Sequence, residues 1–192
     1  MNEVGEALRG DGNEVAHIDL VIGHRQNPVV GLAFNQTLFT QSAGHSNLLC
    51  CDPPNRQAKI PTVMVTKVTI KGATQAVQMF GPAQLGVTQA VDYFVDNFLS
   101  DEEQKKAKDM RILVGVFVHW QAASDAKIAR YNFEATLLAL LRATGRCDSD
   151  GEPGSHPFAG LPEGTSAAKL LTCATAEFEK LVPNAEDAAV SS

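Results

Sequence analysis

The chain reads as an α+β domain of two layers, one mixed β-sheet with helices packed on one face. Three observations predict this. Short β-branched or alternating runs exchange with helical periodicity in the order β-α-β-β-α-β-α. The 192 residues suit a single well-buried core with a short appendage. At 44% hydrophobic and 20% charged, the chain has the balance of a soluble globular protein, and no internal repeat argues for a solenoid.

The first strand is predicted over Glu14 to Ile22, with Ile18, Leu20 and Ile22 on its buried face. A helix follows from Pro28 to about Thr40, with Val29, Leu32, Ala33 and Leu38 on its apolar side. Asn47 to Cys51 is a short strand closed by the turn Asp52-Pro53-Pro54-Asn55. Thr62 to Ile70 is a strand of β-branched residues with Lys67 and Thr69 on one face. A helix starts near Ala73, is interrupted at Gly81-Pro82 and restarts with Val87, Ala90, Val91, Phe94 and Phe98 in register. Ser100-x-x-Glu103 reads as a capping box, and the charges from Glu102 to Lys108 as a solvated face. Arg111 to Trp120 is the most apolar strand and the central one. Ser124 caps a helix to about Thr144, with Ile128, Tyr131, Ala135, Leu138 and Arg142 in register, and Gly145 ends it. Gly145 to Gly164 is loop-like. Ser166 to Val182 is helical with a stripe of Leu170, Leu171, Ala174, Phe178 and Leu181, and Asn184 to Ser192 is a disordered end. The domain is thus expected over residues 1–160, with a C-terminal helical extension over 161–192.

A net charge of -6 argues against a general nucleic-acid binder, since no basic face is there to neutralise phosphates. The N-terminus lacks the basic and apolar regions of a secretory signal, and no run is long enough to span a membrane, so the expected compartment is the cytoplasm. Cys50, Cys51, Cys147 and Cys173 have no zinc or redox spacing and read as small buried thiols.

His17 and Asp19 stand two residues apart in an apolar run, so a strand projects both to one side. A titratable pair on a rigid strand suits proton transfer near neutral pH. By spacing alone, a hydrogen-bonded histidine and a solvated carboxylate are the simpler reading. The same holds for Lys67 with Thr69 on a solvent-facing strand side. It holds also for Gln84, placed near a helix start whose N–H groups attract polar ligand atoms. His24 and Arg25 form a ligand rim or a solvated turn, His119-Trp120 a core or interface pair, and His45 and His156 loop residues without visible partners.

Longer blocks decide between these readings. Gly10-Asp11-Gly12-Asn13-Glu14-Val15-Ala16-His17-Ile18-Asp19-Leu20 closely resembles the opening motif of the formaldehyde-activating enzymes, the tetrahydromethanopterin hydro-lyases. Lys67-Val68-Thr69-Ile70, the run Gln75 to Gln84, Leu113 to Trp120, Asp125-Ala126-Lys127-Ile128 and His156-Pro157-Phe158 resemble further blocks in the same order. The resemblance covers roughly residues 3–160. It implies a compact ribosomal protein S5 domain 2-like fold, assembled as a homopentamer with sites between subunits. It also implies a lyase of one-carbon metabolism and formaldehyde detoxification, which condenses formaldehyde with tetrahydromethanopterin to methylene-tetrahydromethanopterin and water. By position His17 matches the proton donor, and Asp19, Leu49, Lys67, Thr69 and Gln84 match substrate-contacting positions. Asp19 would favour the charged imidazolium or bind the pterin itself. No metal or tightly bound cofactor is implied; the pterin, or its dephospho form, is a co-substrate. Lys67 is the best cation for an anionic pterin tail, followed by Arg25 and Lys71.

The chain departs from the family pattern at His24, which replaces a proline, at Leu85, which replaces a histidine, and over Pro53 to Pro61. It also continues past His156-Pro157-Phe158. Retention of the site positions supports an active hydro-lyase. The departures support the alternative, a non-catalytic or specialised paralogue that binds formaldehyde or a pterin as sensor or carrier.

Overall fold

The computed structural model describes residues 3–40, 42–52, 56–147 and 166–181. Five strands form one sheet: β1 (Glu3–Arg9), β2 (Ala16–His24), β3 (Leu48–Leu49), β6 (Thr62–Thr66) and β7 (Met110–Phe117), in the order β1-β2-β7-β6-β3. β4 (Cys51–Asp52) and β5 (Arg56–Gln57) pair apart as a ribbon. Every pair in the sheet is antiparallel except β6 with β7. That parallel pair needs a long crossover, supplied by α2 (Ala73–Gln78), α3 (Gln84–Phe98) and α4 (Asp101–Lys106). The sheet is mixed, as the element order predicts. Its main helical layer, α3 with α5 (Asp125–Ala143), covers one face. Ile18, Leu20 and Ile22 of β2 and Ile112, Val114 and Val116 of β7 are buried there.

Strand β1 was not among the predicted elements. Its large apolar residues Val4 and Leu8 point outward, 68% and 62% exposed, while Gly5 and Ala7 face α5. The inward residues are small because the helix runs close: a Cβ on Gly5 would lie 2.0 Å from the Ala139 carbonyl oxygen. The usual rule of large-in, polar-out is therefore inverted. Strand β2 begins at Ala16 rather than Glu14, because Gly12–Glu14 form a 3₁₀ turn. The Glu14 carboxylate accepts hydrogen bonds from the Ala123 and Ser124 backbone N–H groups at 3.0 and 3.3 Å, which hold its pKa below the ordinary range.

Helix α1 (Pro28–Phe39) buries Val30 and Phe34, while Val29 and Leu32 are 61% and 58% exposed. This corrects the predicted apolar side. Its first turns are apolar all round, so periodicity cannot choose a face. Tertiary contacts do: Val30 closes on Gly23, and Phe34 lies under the Arg111 guanidinium at 5.3 Å. Gly23 and Arg111 belong to the sheet face opposite α5, so α1 sits on that face.

The predicted break at Gly81-Pro82 is also corrected. Met79–Ala83 form a π-turn that carries α2 into α3 without interruption. The wider turn makes room for a proline ring that cannot join the i→i−4 ladder. The segment predicted as one strand over Asn47 to Cys51 bends at buried Cys50 into β3 and β4. Strand β6 stops at Thr66, short of Ile70, and β7 stops at Phe117, short of Trp120. The Ser100–Glu103 capping box and the Ser124 cap form as predicted. Cys50 and Cys147 are buried as small thiols, whereas Cys51 is only partly buried and Cys173 is exposed, which corrects the expectation for those two.

Helix α6 (Ala167–Leu181) lies against α5. Phe178 stacks on Phe133 with ring centroids 4.5 Å apart, and the Thr175 hydroxyl donates to Glu134 at 3.1 Å. Leu170, Leu171 and Ala174 are buried as predicted, whereas Leu181 is exposed. Burial and the nearby Glu177 push the Tyr93 hydroxyl up to about 12. The expected disordered end, most of the 145–164 loop and the His156-Pro157-Phe158 motif lie outside the described residues.

Candidate active site

The sheet register builds one row of side chains on the face away from α5. Glu6 of β1 stands opposite Asp19 of β2, and Asp19 stands opposite Gly115 of β7. On β6, Val65 pairs with Gly115, so Lys67, two residues on, returns to the same face just beyond the strand end. Gly115 is what lets Lys67 cross: a Cβ there would lie 3.2 Å from Lys67 Cγ and 3.4 Å from Cδ. The lysine stem passes over the bare backbone and its ammonium reaches Asp19.

His17 sits between these groups. Its Nε2 is 2.7 Å from Glu6 Oε1 and 3.5 Å from Asp19 Oδ1, and its Nδ1 is 3.1 Å from Lys67 Nζ. An ammonium only donates, so Nδ1 of the neutral ring accepts from Lys67 and the ring proton resides on Nε2, facing Glu6. Two carboxylates and one ammonium leave the cluster one negative charge, which an imidazolium would bring to zero. The His17, Asp19 and Lys67 side chains are 34%, 48% and 23% exposed, open enough for a solute to reach. Donor atoms of Glu6, His17 and Asp19 all lie within 4.8 Å of one another, a spacing a metal ion could use. The Lys67 ammonium already engages two of those three residues and would compete for the place.

The remaining predicted positions lie apart from this cluster. Thr69 does not share a strand face with Lys67, since the strand ends before both; its hydroxyl lies 3.1 Å from His45 Nε2. Leu49 is half-buried on edge strand β3. The Gln84 side chain donates to the Cys51 carbonyl at 2.8 Å. Gln84 does not stand at a free helix start, because the π-turn continues into it. Among the described residues, no hydrogen bond joins Thr69 or Gln84 to His17, Asp19 or Lys67. The divergent segment is fastened to α3: Arg56 pairs with Asp52 at 2.5 Å and with buried Asp92, and Lys59 pairs with Asp96. Arg25 belongs elsewhere, at the far end of β2 and 3.1 Å from Asp109. Lys71 lies over half-exposed Trp120 at 5.3 Å.

Glu6, Gly115 and His45 were missed by sequence reasoning. Glu6 sits in the inverted strand. Gly115, a glycine inside the most apolar strand, carried a usable signal, because such a glycine marks a close approach. Nothing local distinguishes His45.

Comparison with known proteins places this geometry. The family model described as formaldehyde-activating enzyme (Fae) matches residues 4–150. The chain is 46% identical over 163 residues to the 5,6,7,8-tetrahydromethanopterin hydro-lyase of Methanosarcina barkeri, covering 81% of this chain and 89% of that protein. It is 46% identical over 143 residues to the bifunctional enzyme Fae/Hps of Methanocella arvoryzae, and 47% identical over 140 residues to that of Methanococcoides burtonii. These two matches cover 74% and 73% of this chain, and in both cases the chain spans only 35% of the relative's length. On a match that takes in the whole His17–Asp19–Lys67 row, the chain belongs to the formaldehyde-activating enzyme family.

Proposed function

We propose that this chain is a lyase that condenses formaldehyde with tetrahydromethanopterin, or its dephospho form, to methylene-tetrahydromethanopterin and water, with His17 as proton donor. The observation that carries the reading is the convergence of His17, Asp19 and Lys67 on one exposed spot of a chain 46% identical to a hydro-lyase of that name. A pterin amine adds to formaldehyde and gives a hydroxymethyl adduct. The C–O bond breaks as His17, in its imidazolium form, gives a proton to the departing oxygen, leaving water and an iminium carbon. The second amine closes the ring on that carbon and sheds a proton, which the neutral imidazole takes back. Asp19 and Glu6 balance the charge His17 carries before the first transfer and after the second. Lys67 holds Asp19 and offers a cation to the co-substrate. The reaction is intrinsically facile, so much of the rate gain comes from orientation.

Asp19, Lys67, Leu49, Thr69 and Gln84 are assigned to co-substrate binding, and no metal is assigned. The homopentamer with sites between subunits is taken from the family resemblance, and it fits the bonds of Thr69 to His45 and of Gln84 to Cys51, away from His17 within one chain. Exposed Val4, Leu8, Val29, Leu32 and Phe39 on the same side of the sheet support an interface there. No described helix is long and apolar enough to cross a membrane, and the site is assigned to the cytoplasm. The catalytic domain is assigned to residues 1–160 and the helical extension to 161–192.

The test is the rate of methylene-tetrahydromethanopterin formation with purified protein against the spontaneous background. Acceleration that drops about 100-fold in His17→Ala, with pterin binding kept, is the expected result. A folded wild-type protein that binds pterin without acceleration would leave the carrier reading in its place.

A further inference from the structure

We infer that His45 is a positioning residue that fixes the Thr69 hydroxyl as a hydrogen-bond acceptor toward the pterin; this rests on the reading of Thr69 as a co-substrate contact. His45 follows α1 in a tight loop closed by a bridge between Ser42 and His45. Its Nε2 lies 3.1 Å from Thr69 Oγ1, and its Nδ1 lies 3.2 Å from both the Thr66 carbonyl oxygen and Thr66 Oγ1. The ring therefore clamps both ends of the segment that carries Lys67 between them.

The hydrogen directions follow from chemistry. A carbonyl oxygen has no proton to give, so its contact with Nδ1 is attractive only when Nδ1 carries the hydrogen. A neutral imidazole has one, which leaves Nε2 as an acceptor. The Thr69 hydroxyl must then donate to Nε2, and its lone pairs turn outward, where Thr69 is exposed. Thr69 meets a ligand as an acceptor, suited to an N–H on the pterin edge and unsuited to a carbonyl.

The loop is shaped for this contact. Gly44 has φ +73°, and a Cβ there would sit 2.5 Å from Thr69 Cγ2. The Gly44 carbonyl also accepts from the Ile70 N–H at 2.9 Å, so the threonine is held on both sides.

Two measurements on the full chain test the inference. Long-range ¹H–¹⁵N spectra at about pH 8, above the ordinary imidazole range, report which His45 nitrogen is protonated, with His45→Gln for assignment. The expected proton is on Nδ1; a proton on Nε2 overturns the inference. Background-corrected kinetics of His45→Ala, Thr69→Val and the double variant form the second arm. His45→Ala is expected to raise KM for the pterin roughly fivefold with kcat within about twofold, the worth of one hydrogen bond. The double variant is expected to match Thr69→Val. If the wild type accelerates the reaction and His45→Ala leaves KM unchanged, or the two changes simply multiply, the inference fails. If the wild type does not accelerate it, the lyase reading falls and the tautomer alone decides this inference.

Discussion

A single absent side chain decides how the site is assembled. Lys67, just past the end of β6, and Asp19 on β2 are separated by β7, and the ammonium reaches the carboxylate only because Gly115 leaves the intervening backbone bare. Gly115→Ala tests this at little risk to the fold. The new methyl meets a flexible stem at 3.2 Å, so the stem yields by a few tenths of an ångström and the ammonium moves with it. Misplacement on that scale is expected to lower kcat/KM about tenfold while the melting temperature stays nearly unchanged. A variant with wild-type kcat/KM would show that the Lys67 position is not critical. The His-x-Asp spacing was legible in the sequence as polar side chains in an apolar run; Lys67 was legible too, but as a pair with Thr69 on a strand face that the structure does not form. Glu6 was not, because Val4 and Leu8 face out beside it.

At the level of elements, the same local rules succeed where a segment makes its own contacts. The α4 capping box is one case: Ser100 N–H donates to Glu103 at 2.8 Å, and Glu103 N–H donates back to Ser100 Oγ at 3.4 Å. Glu103 also accepts from buried Arg146 at 3.0 Å, which anchors α4 to the end of α5. Burial raises its carboxyl, but the bonds from Ser100 and Arg146 outweigh that and hold it below the ordinary 4.5. The folded value is depressed, so the stabilisation is complete above about pH 4.5 and is lost as the pH falls through the lower folded value. Half of the side chain is in water, and screening limits the gain to under about 1 kcal/mol. Glu103→Gln should therefore melt roughly 2–4 °C lower than wild type at pH 7 and converge with it near pH 3. A gap that persists at pH 3 would assign the loss to packing rather than charge.

For the whole molecule, the sheet separates two kinds of surface. The face under α3 and α5 is sealed, and α6 extends that seal through the Phe133–Phe178 stack. The opposite face carries the His17 row, α1 and the exposed apolar residues. If α6 is integral to the core, Phe178→Ala costs about 3 kcal/mol and lowers the melting temperature by roughly 6–12 °C. Turnover at 25 °C should not change, because the stack lies across the sheet from His17. An unchanged melting temperature would make α6 a loosely attached appendage.

The sequence by itself determined the mixed sheet, the long capped helix, the buried side of β2 and, through long ordered blocks, the family. These depend on periodicity, capping and residue identity within a few turns of chain. The tertiary structure alone decided which side α1 buries, that β1 carries Glu6 to His17, and that His45 holds Thr69. Each of these is set by a contact between segments distant in the chain, and such contacts leave no periodic trace in either partner.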